Sequence, residues 1–284
     1  MSDVLAFGEI LWDVIDGVPY IGGAAFNFAA HLRLCGLSSA LVSRIGTDEL
    51  GVRARQEVES LHVDASFITD DPVHATGTVV ATLLNGIPTY DIKTDVAWDF
   101  IQVPDGTPLP ESPRAFYFGT LAQRGEVSRT TLFRLLDAYS DSEVFFDVNL
   151  RQSFWNEEVI RTSLPYATFV KLNDEESNRL SAILSGRQLD IRGFAAFLLQ
   201  EYPRLKAVIT TLGAEGCLVS EAGGRQFQSP ATPDKPVDTV GAGDAFSAAF
   251  IASWLNGTSA EEAARAGNIR GGLVASLPGA IPFR

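Results

Sequence analysis

The chain has 284 residues, 46% of them hydrophobic and 20% charged, and a formal net charge of -13. That length suits one large core near its upper size, with at most a small appendage. The acidic balance argues against nucleic acid or an anionic membrane as the main partner, since both would repel it, so any phosphate must be held locally. Two cysteines, Cys35 and Cys217, lie in apolar stretches and read as buried free thiols of a reducing compartment. The start, MSDVLAFGEI, lacks a basic segment followed by an apolar one, and no apolar run approaches the ~18 residues of a membrane span. A cytoplasmic location is the expectation.

From the N-terminus, short apolar segments alternate with amphipathic ones. Val4 to Phe7, Ala40 to Val42, Ala115 to Phe118, Val144 to Phe146, Thr168 to Leu172 and Ala207 to Thr211 have the composition of strands buried on both faces. Phe26 to Leu34, Leu50 to Leu61, Thr130 to Tyr139, Glu175 to Leu184 and Ile191 to Glu201 have helical spacing. The alternation predicts an α/β fold, a doubly wound and mostly parallel sheet flanked by helices. One region departs from it. Thr76 to Leu84 and Thr89 to Ile92 flank the turn sequence Asn85-Gly86-Ile87-Pro88, with no helix between them. Together with an extended segment from Leu11 to Tyr20, they predict a small antiparallel β sheet, formed by about 11–20 and 76–100. It is either an ordinary excursion or a lid inserted within a single domain of residues 1–284.

Ligands of such sheets gather beyond the carboxyl ends of the parallel strands, and polar residues stand there. Asp147, Asn149 and Arg151 follow one strand, Asn173 and Glu176 the next, and Gly213 and Gly216 a third. Each set has a bland account: a solvated loop, an Asn-x-x-Glu helix cap, a tight turn. Their common end of the sheet favours a site. The stretch DTVGAGDAFSAAFIASWL, from Asp238 to Leu255, passes through small residues into a long apolar helix. A helix start built this way can crowd backbone N–H groups around an anion. Asp244, in its first turn, would be repelled by a phosphate there unless it takes a proton from an attacking hydroxyl. Alternatively, the glycines only permit close packing and Asp244 complements the helix dipole.

Asp238-Thr239-Val240-Gly241-Ala242-Gly243-Asp244 resembles the C-terminal signature of the ribokinase-like, or PfkB-type, carbohydrate kinases. Gly22-Gly23-Ala24-Ala25-Phe26-Asn27, followed by Gly36 and Gly46, resembles the family's N-terminal glycine motif. The segments GEILWDV, GTLAQRGEVSR and FDVNLR look most like the fructokinase branch. The resemblance covers nearly the whole chain and implies a ribokinase-like fold with a β lid.

It also implies roles. Asp244 would be the base for the sugar hydroxyl, and Gly241, Ala242 and Gly243 would lend N–H groups to the transferring phosphoryl. Asn173 and Glu176 would organise Mg²⁺, partly through water, and Thr211, Gly213, Gly216 and Asn268 would line the ATP side. Asp13, Gly22, Gly23 and Asn27 would bind sugar hydroxyls, with Asn149 and Arg151 nearby. Asp238 and the loop Leu277-Pro278-Gly279-Ala280 would offer oxygens to K⁺. A homodimer through the lid is a further expectation from relatives.

No GxxxxGK[ST] occurs, and the four lysines, Lys93, Lys171, Lys206 and Lys235, stand outside glycine-rich loops, which excludes a P-loop kinase. Lys171 would either assist with charge or merely snorkel from its strand end. The scattered His31, His62 and His74 give no transition-metal spacing. The expectation is therefore a fructokinase. Alternatives are a kinase of the same fold for 2-keto-3-deoxygluconate, ribose or a nucleoside, and a non-catalytic sugar or nucleotide sensor. An acidic substrate would call for more cations, for which Arg124 and Arg151 are the candidates.

Overall fold

The computed structural model describes residues 2–84, 87–104, 106–107, 109, 112–232 and 235–282. The chain opens with β1 (Val4–Phe7), passes through β2 (Leu11–Ile15) and β3 (Val18–Gly22), and enters α1 (Ala24–Leu34). Then follow β4 (Ser39–Gly46), α2 (Glu49–Ser60), β5 (Ile68–Asp71), β6 (Gly77–Leu84), β7 (Ile87–Ile92), β8 (Ala115–Gly119) and α3 (Glu126–Ala138). The second half runs β9 (Glu143–Asp147), α4 (Glu157–Ser163), β10 (Phe169–Asn173), α5 (Asp174–Ser185), α6 (Ile191–Glu201) and β11 (Ala207–Thr211). It ends with β12 (Cys217–Glu221), β13 (Gln226–Ser229), α7 (Ala242–Leu255) and α8 (Ala260–Ala275).

Nine strands form the main sheet in the order β13-β12-β11-β10-β9-β8-β1-β4-β5. Pairings from β5 across to β11 are parallel, and β12 and β13 close that edge antiparallel. Alternate side chains of each strand feed two cores, so both faces must be covered. Val4, Ala6, Tyr117, Phe145 and Phe169 pack on the face of α1, α7 and α8. Leu5, Phe7, Phe116, Phe118 and Phe146 pack on the face of α3, α5 and α6. Aromatic rings dominate the first core: Phe28 stacks on Tyr117 at 3.8 Å, and Phe169 meets Phe250 and Trp254 edge-on at 5.6 and 5.0 Å. α7 is buried from Asp244 to Ala252, which explains a sequence apolar all round rather than along one stripe.

The expected small sheet is present, with a more folded shape. The segment expected as extended from Leu11 to Tyr20 is a hairpin, β2 with β3, turning at Asp16 and Gly17, both left-handed at φ 50° and 78°. The small sheet has the order β3-β2-β6-β7. Its outer pairings are antiparallel and its central one, β2 with β6, is parallel. Both central strands follow parallel strands of the main sheet, β1 and β5, and so leave its carboxyl edge in one direction. Of the expected turn, Asn85 and Gly86 lie outside the described residues, and Ile87 and Pro88 begin β7.

The root of the small sheet is rigid. Arg124 lies between the rings of Trp98 and Phe154, 3.8 and 4.6 Å from their centroids, and pairs with Asp99 at 2.7 Å. Gly77 opens β6 directly against this cluster, where a Cβ would stand 2.1 Å from Trp98 Nε1. No described helix is long and apolar enough to cross a membrane. Because Trp98 is 1% exposed and cannot move aside, Gly77→Ala is expected to lower unfolding free energy by about 1–3 kcal/mol, as overpacking does. Urea denaturation would measure it, and an unchanged midpoint would contradict the rigid root.

Candidate active site

The carboxyl ends of β1, β8, β9, β10 and β11, the first turns of α1 and α7, and the small sheet enclose a cavity of about 640 Å³. Of the residues singled out from the sequence, Asp13, Gly23, Asn27, Asn149, Arg151, Asn173, Glu176, Thr211, Gly241, Gly243 and Asp244 all line it. These come from six separate segments, gathered because parallel strands all point their ends the same way.

At its floor is the start of α7. Gly241 is the N-cap, left-handed at φ 76°, and a Cβ there would lie 2.7 Å from Ala280. The amide of Ala242 donates to Thr239 O at 3.2 Å and closes the turn. Ala242 is thereby removed from the expected anion-binding set, and it does not line the cavity. The amides of Gly243 and Asp244 precede the first intrahelical bond, which Ala245 makes to Gly241 O at 2.9 Å. Among the described residues neither amide has a backbone acceptor, which leaves them able to meet an anion.

Asp244 is 9% exposed. Its Oδ2 accepts from Asn27 Nδ2 at 2.8 Å. Burial pushes its pKa up to about 7, helped by the nearby Asp147 charge and opposed by Asn27, Lys171 and Arg151. Lys171 Nζ donates to both Asp147 oxygens, at 2.9 and 2.8 Å. Burial pulls the Lys171 pKa down, but the Asp147 pairing and the fields of Asp244 and Glu176 outweigh it, and the net shift is upward.

Two carboxylates stand on the small-sheet side. Asp13, on β2, is pushed up to about 6 by burial against the opposing field of Arg151. Glu9, just past β1, is 5% exposed, and its Oε1 accepts from Ala24 N at 2.9 Å; burial raises its pKa as well. Gly22 pairs with Leu11 beside Asp13 and is not in the lining.

Asn173 and Glu176 form a reciprocal cap at the start of α5. Asn173 Oδ1 accepts from Glu176 N, and Glu176 Oε2 accepts from Asn173 N, both at 2.8 Å. Glu176 Oε1 reaches further, to the amide of Leu150 at 2.7 Å. It thus holds the loop carrying Arg151, whose neighbours Asn149 and Gln152 are left-handed at φ 40° and 49°. Such backbone persists only where surrounding contacts impose it. The capping account and a site account of Asn173 and Glu176 therefore hold together.

Other expected residues stand apart from the cavity. Asn268, on α8, spends its amide on Ser229 O at 2.9 Å and Pro230 O at 3.1 Å, holding the end of β13. Gly213 and Gly216 shape the turn between β11 and β12. Asp238 accepts from Val240 N at 3.0 Å and from Gly279 N at 2.9 Å, which joins the two segments expected to flank K⁺. No cluster of three or more His, Cys, Asp or Glu able to hold a metal occurs among the described residues. Glu9, just past the end of β1, was not singled out from the sequence. Asp147 was, among the polar strand ends, and Lys171 was, as a cation that would assist or snorkel; their pairing is a tertiary contact the sequence did not carry.

Residues 3–283 match the sequence pattern of the pfkB family carbohydrate kinases. The chain belongs to that family. This pfkB kinase is 28% identical to fructokinase of Escherichia coli over 271 residues, covering 91% of this chain and 82% of that one. It is 30% identical to fructokinase of Rhizobium leguminosarum bv. trifolii over 266 residues, covering 88% and 79%. The crystal structure of fructokinase from Vibrio cholerae, bound to fructose, ADP and calcium ion, superposes with a TM-score of 0.86 at 27% identity, covering 99% of this chain and 95% of that one.

The pKa of Asp244 rises on folding from the ordinary 3.8 to about 7, so protonation favours the native kinase. The stability this group contributes is full below about pH 4 and is lost as pH climbs through about 7. Asp244→Asn removes that dependence. Its melting temperature relative to the parent is expected to climb between about pH 5 and pH 7 and level off above, and a pH-independent difference would contradict the raised pKa.

Proposed function

We propose that this pfkB kinase transfers the γ-phosphate of ATP to the primary hydroxyl of a neutral ketose, taking fructose to fructose 6-phosphate. The observation that carries the reading is Asp244: a buried, proton-avid carboxyl at the mouth of α7, facing the cavity beside free first-turn amides. In the reaction the sugar oxygen forms a bond to the γ-phosphorus as its proton passes to Asp244 Oδ. The bond from phosphorus to the bridging oxygen breaks, and ADP leaves with that electron pair. The amides of Gly243 and Asp244, with Gly241 shaping the turn, steady the migrating phosphoryl.

On the sugar side, Asp13, Asn27 and the backbone at Gly23 fit hydroxyl groups. Asn27 Oδ1 is buried and has no hydrogen-bond partner among the described residues, an unmet acceptor that a sugar hydroxyl would satisfy. Thr211 serves the nucleotide side, with Gly213, Gly216 and Asn268 supporting it from behind. Asn173 and Glu176 suit Mg²⁺ held through water, since each Glu176 oxygen accepts one amide and keeps a lone pair. The ion, when bound with ATP, neutralises phosphate charge. Asp238, with the loop joined to it, suits K⁺ in the same way. The ADP and fructose bound to the Vibrio cholerae relative support the pairing of nucleotide and ketose.

Substrate charge favours a neutral sugar over 2-keto-3-deoxygluconate or a sugar phosphate. Arg124, one of two candidate cations, is consumed by Asp99 and stacked between two rings. Asp13 and Glu9 would repel an acid, and of the two cations in the lining Lys171 is already paired with Asp147, which leaves Arg151 to attract it. Exposed Ile15, Val18 and Tyr20 on the small sheet suit a homodimer, which light scattering would detect. The free thiols of Cys35 and Cys217 suit a cytoplasmic setting.

Asp244→Asn is expected to lower kcat by about 10²–10⁴, and near-full activity would remove Asp244 from the mechanism. In the parent, kcat/KM should rise with pH along an acid limb centred near the Asp244 pKa of about 7. In ADP-release assays with fructose, ribose, 2-keto-3-deoxygluconate and adenosine, fructose should give the highest kcat/KM. Preference for the acidic sugar would contradict the charge argument, and no sugar-dependent turnover would favour a sensor.

A further inference from the structure

We propose that Lys171, pinned by Asp147 beneath the turn that opens α7, is a positioning cation for phosphoryl transfer: its fixed charge keeps Asp244 able to ionise and faces the migrating phosphoryl group. The inference rests on the reading of Asp244 as the base.

Lys171 is the central residue of a strand buried on both faces, where an apolar side chain is the rule. It is 7% exposed, and Asp147 is 1% exposed. Taking two such ions out of water costs several kcal/mol each, and a well-packed apolar pair is often no less stable. Stability alone does not account for an ion pair here. Its surroundings are also organised around the acid rather than the base. Asp147 Oδ2 accepts from Ser247 Oγ at 3.1 Å and from Tyr117 OH at 3.3 Å, as well as from the lysine. Asp147 is thereby fixed from β8, β10 and α7, and it fixes the ammonium in turn.

The ammonium is held against the anion-binding turn. A Cβ on Gly243 would stand 3.2 Å from Lys171 Nζ, so Nζ lies beside the residue whose amide opens α7. Lys171, Gly243 and Asp244 all line the cavity. The chain carries no lysine in a glycine-rich loop, and Lys93 and Lys206 are each half exposed in ion pairs elsewhere. Among the described residues Lys171 is therefore the lysine that lines the cavity, and it reaches the glycine turn from a strand rather than from a loop.

The groups acting on Asp244 come from every side. Asn27 reaches it from α1, Asp147 from the end of β9, Lys171 from β10 and Arg151 from the loop after β9, and its charge is felt by Tyr117 on β8. Glu9, Asp13 and Glu176 line the same cavity. With Lys171 neutral, Asp147 and Asp244 would be two like charges in one buried site, and such a pair resists ionising twice.

The test compares pH profiles of kcat/KM for fructose in the parent, Lys171→Met, Lys171→Met/Asp147→Asn and Asp244→Asn. In Lys171→Met the acid limb should move up by about one unit or more, with the high-pH plateau of kcat at least about tenfold lower. In the double variant, which leaves no unpaired ion and so keeps the fold testable, the limb should return towards the parent position while the plateau stays low. An unmoved limb in Lys171→Met, or a parental plateau in the double variant, overturns the proposal. The Asp244→Asn arm separates the two readings. If it is active, the base assignment has failed; if it is inactive while Lys171→Met behaves as the parent, only the role of Lys171 has failed.

Discussion

Everything at this site turns on holding a carboxylate at the buried mouth of a helix without letting it become permanently protonated. Burial raises the pKa of Asp244 towards neutrality, and a single amide, Asn27 Nδ2 at 2.8 Å, holds its orientation. A carboxyl with an ordinary pKa would be a feeble proton acceptor, and one pushed much higher would stay protonated. The balance is set by neighbours from different strands, so the site depends on the sheet's order as much as on any residue. The parallel strands deliver Asp147, Lys171 and Asn173 to one edge, and α7 brings Asp244 down onto it.

The small sheet complements that edge. β2 and β6 leave the main sheet in the same direction and pair in parallel, placing Asp13 across the cavity from the start of α7. Its root, where Arg124 is locked among Trp98, Phe154 and Asp99, does two things at once. It fixes the small sheet beside the cavity, and it occupies a cation that the sequence left available. The same ion pair thus joins the geometry of the small sheet to the charge around the cavity.

Much of this was legible in the sequence. Strand segments buried on both faces announce themselves as short apolar runs, and β1, β11 and α6 begin and end where their composition says. The glycine turn before α7 and the polar strand ends marked the site. Less legible was whatever depends on contacts between distant segments. α8 escaped notice because its run Gly267 to Gly272 weakens helical propensity, while packing against α7 and the Ser259–Glu262 capping box override that. β12 and β13 are short and close an edge. Asn268 looked like a ligand residue, yet its amide is occupied by the end of β13. Arg124 looked available, and only the fold reveals Asp99 beside it.

The claim that organises this account is the proton affinity of one carboxyl. Infrared difference spectra of the parent against Asp244→Asn, recorded across a pH titration, isolate the protonated carboxyl band of Asp244. The account predicts that this band fades with a midpoint near pH 7, the value its burial gives. A midpoint in the ordinary aspartate range near pH 4, or no titrating band at all, would contradict it.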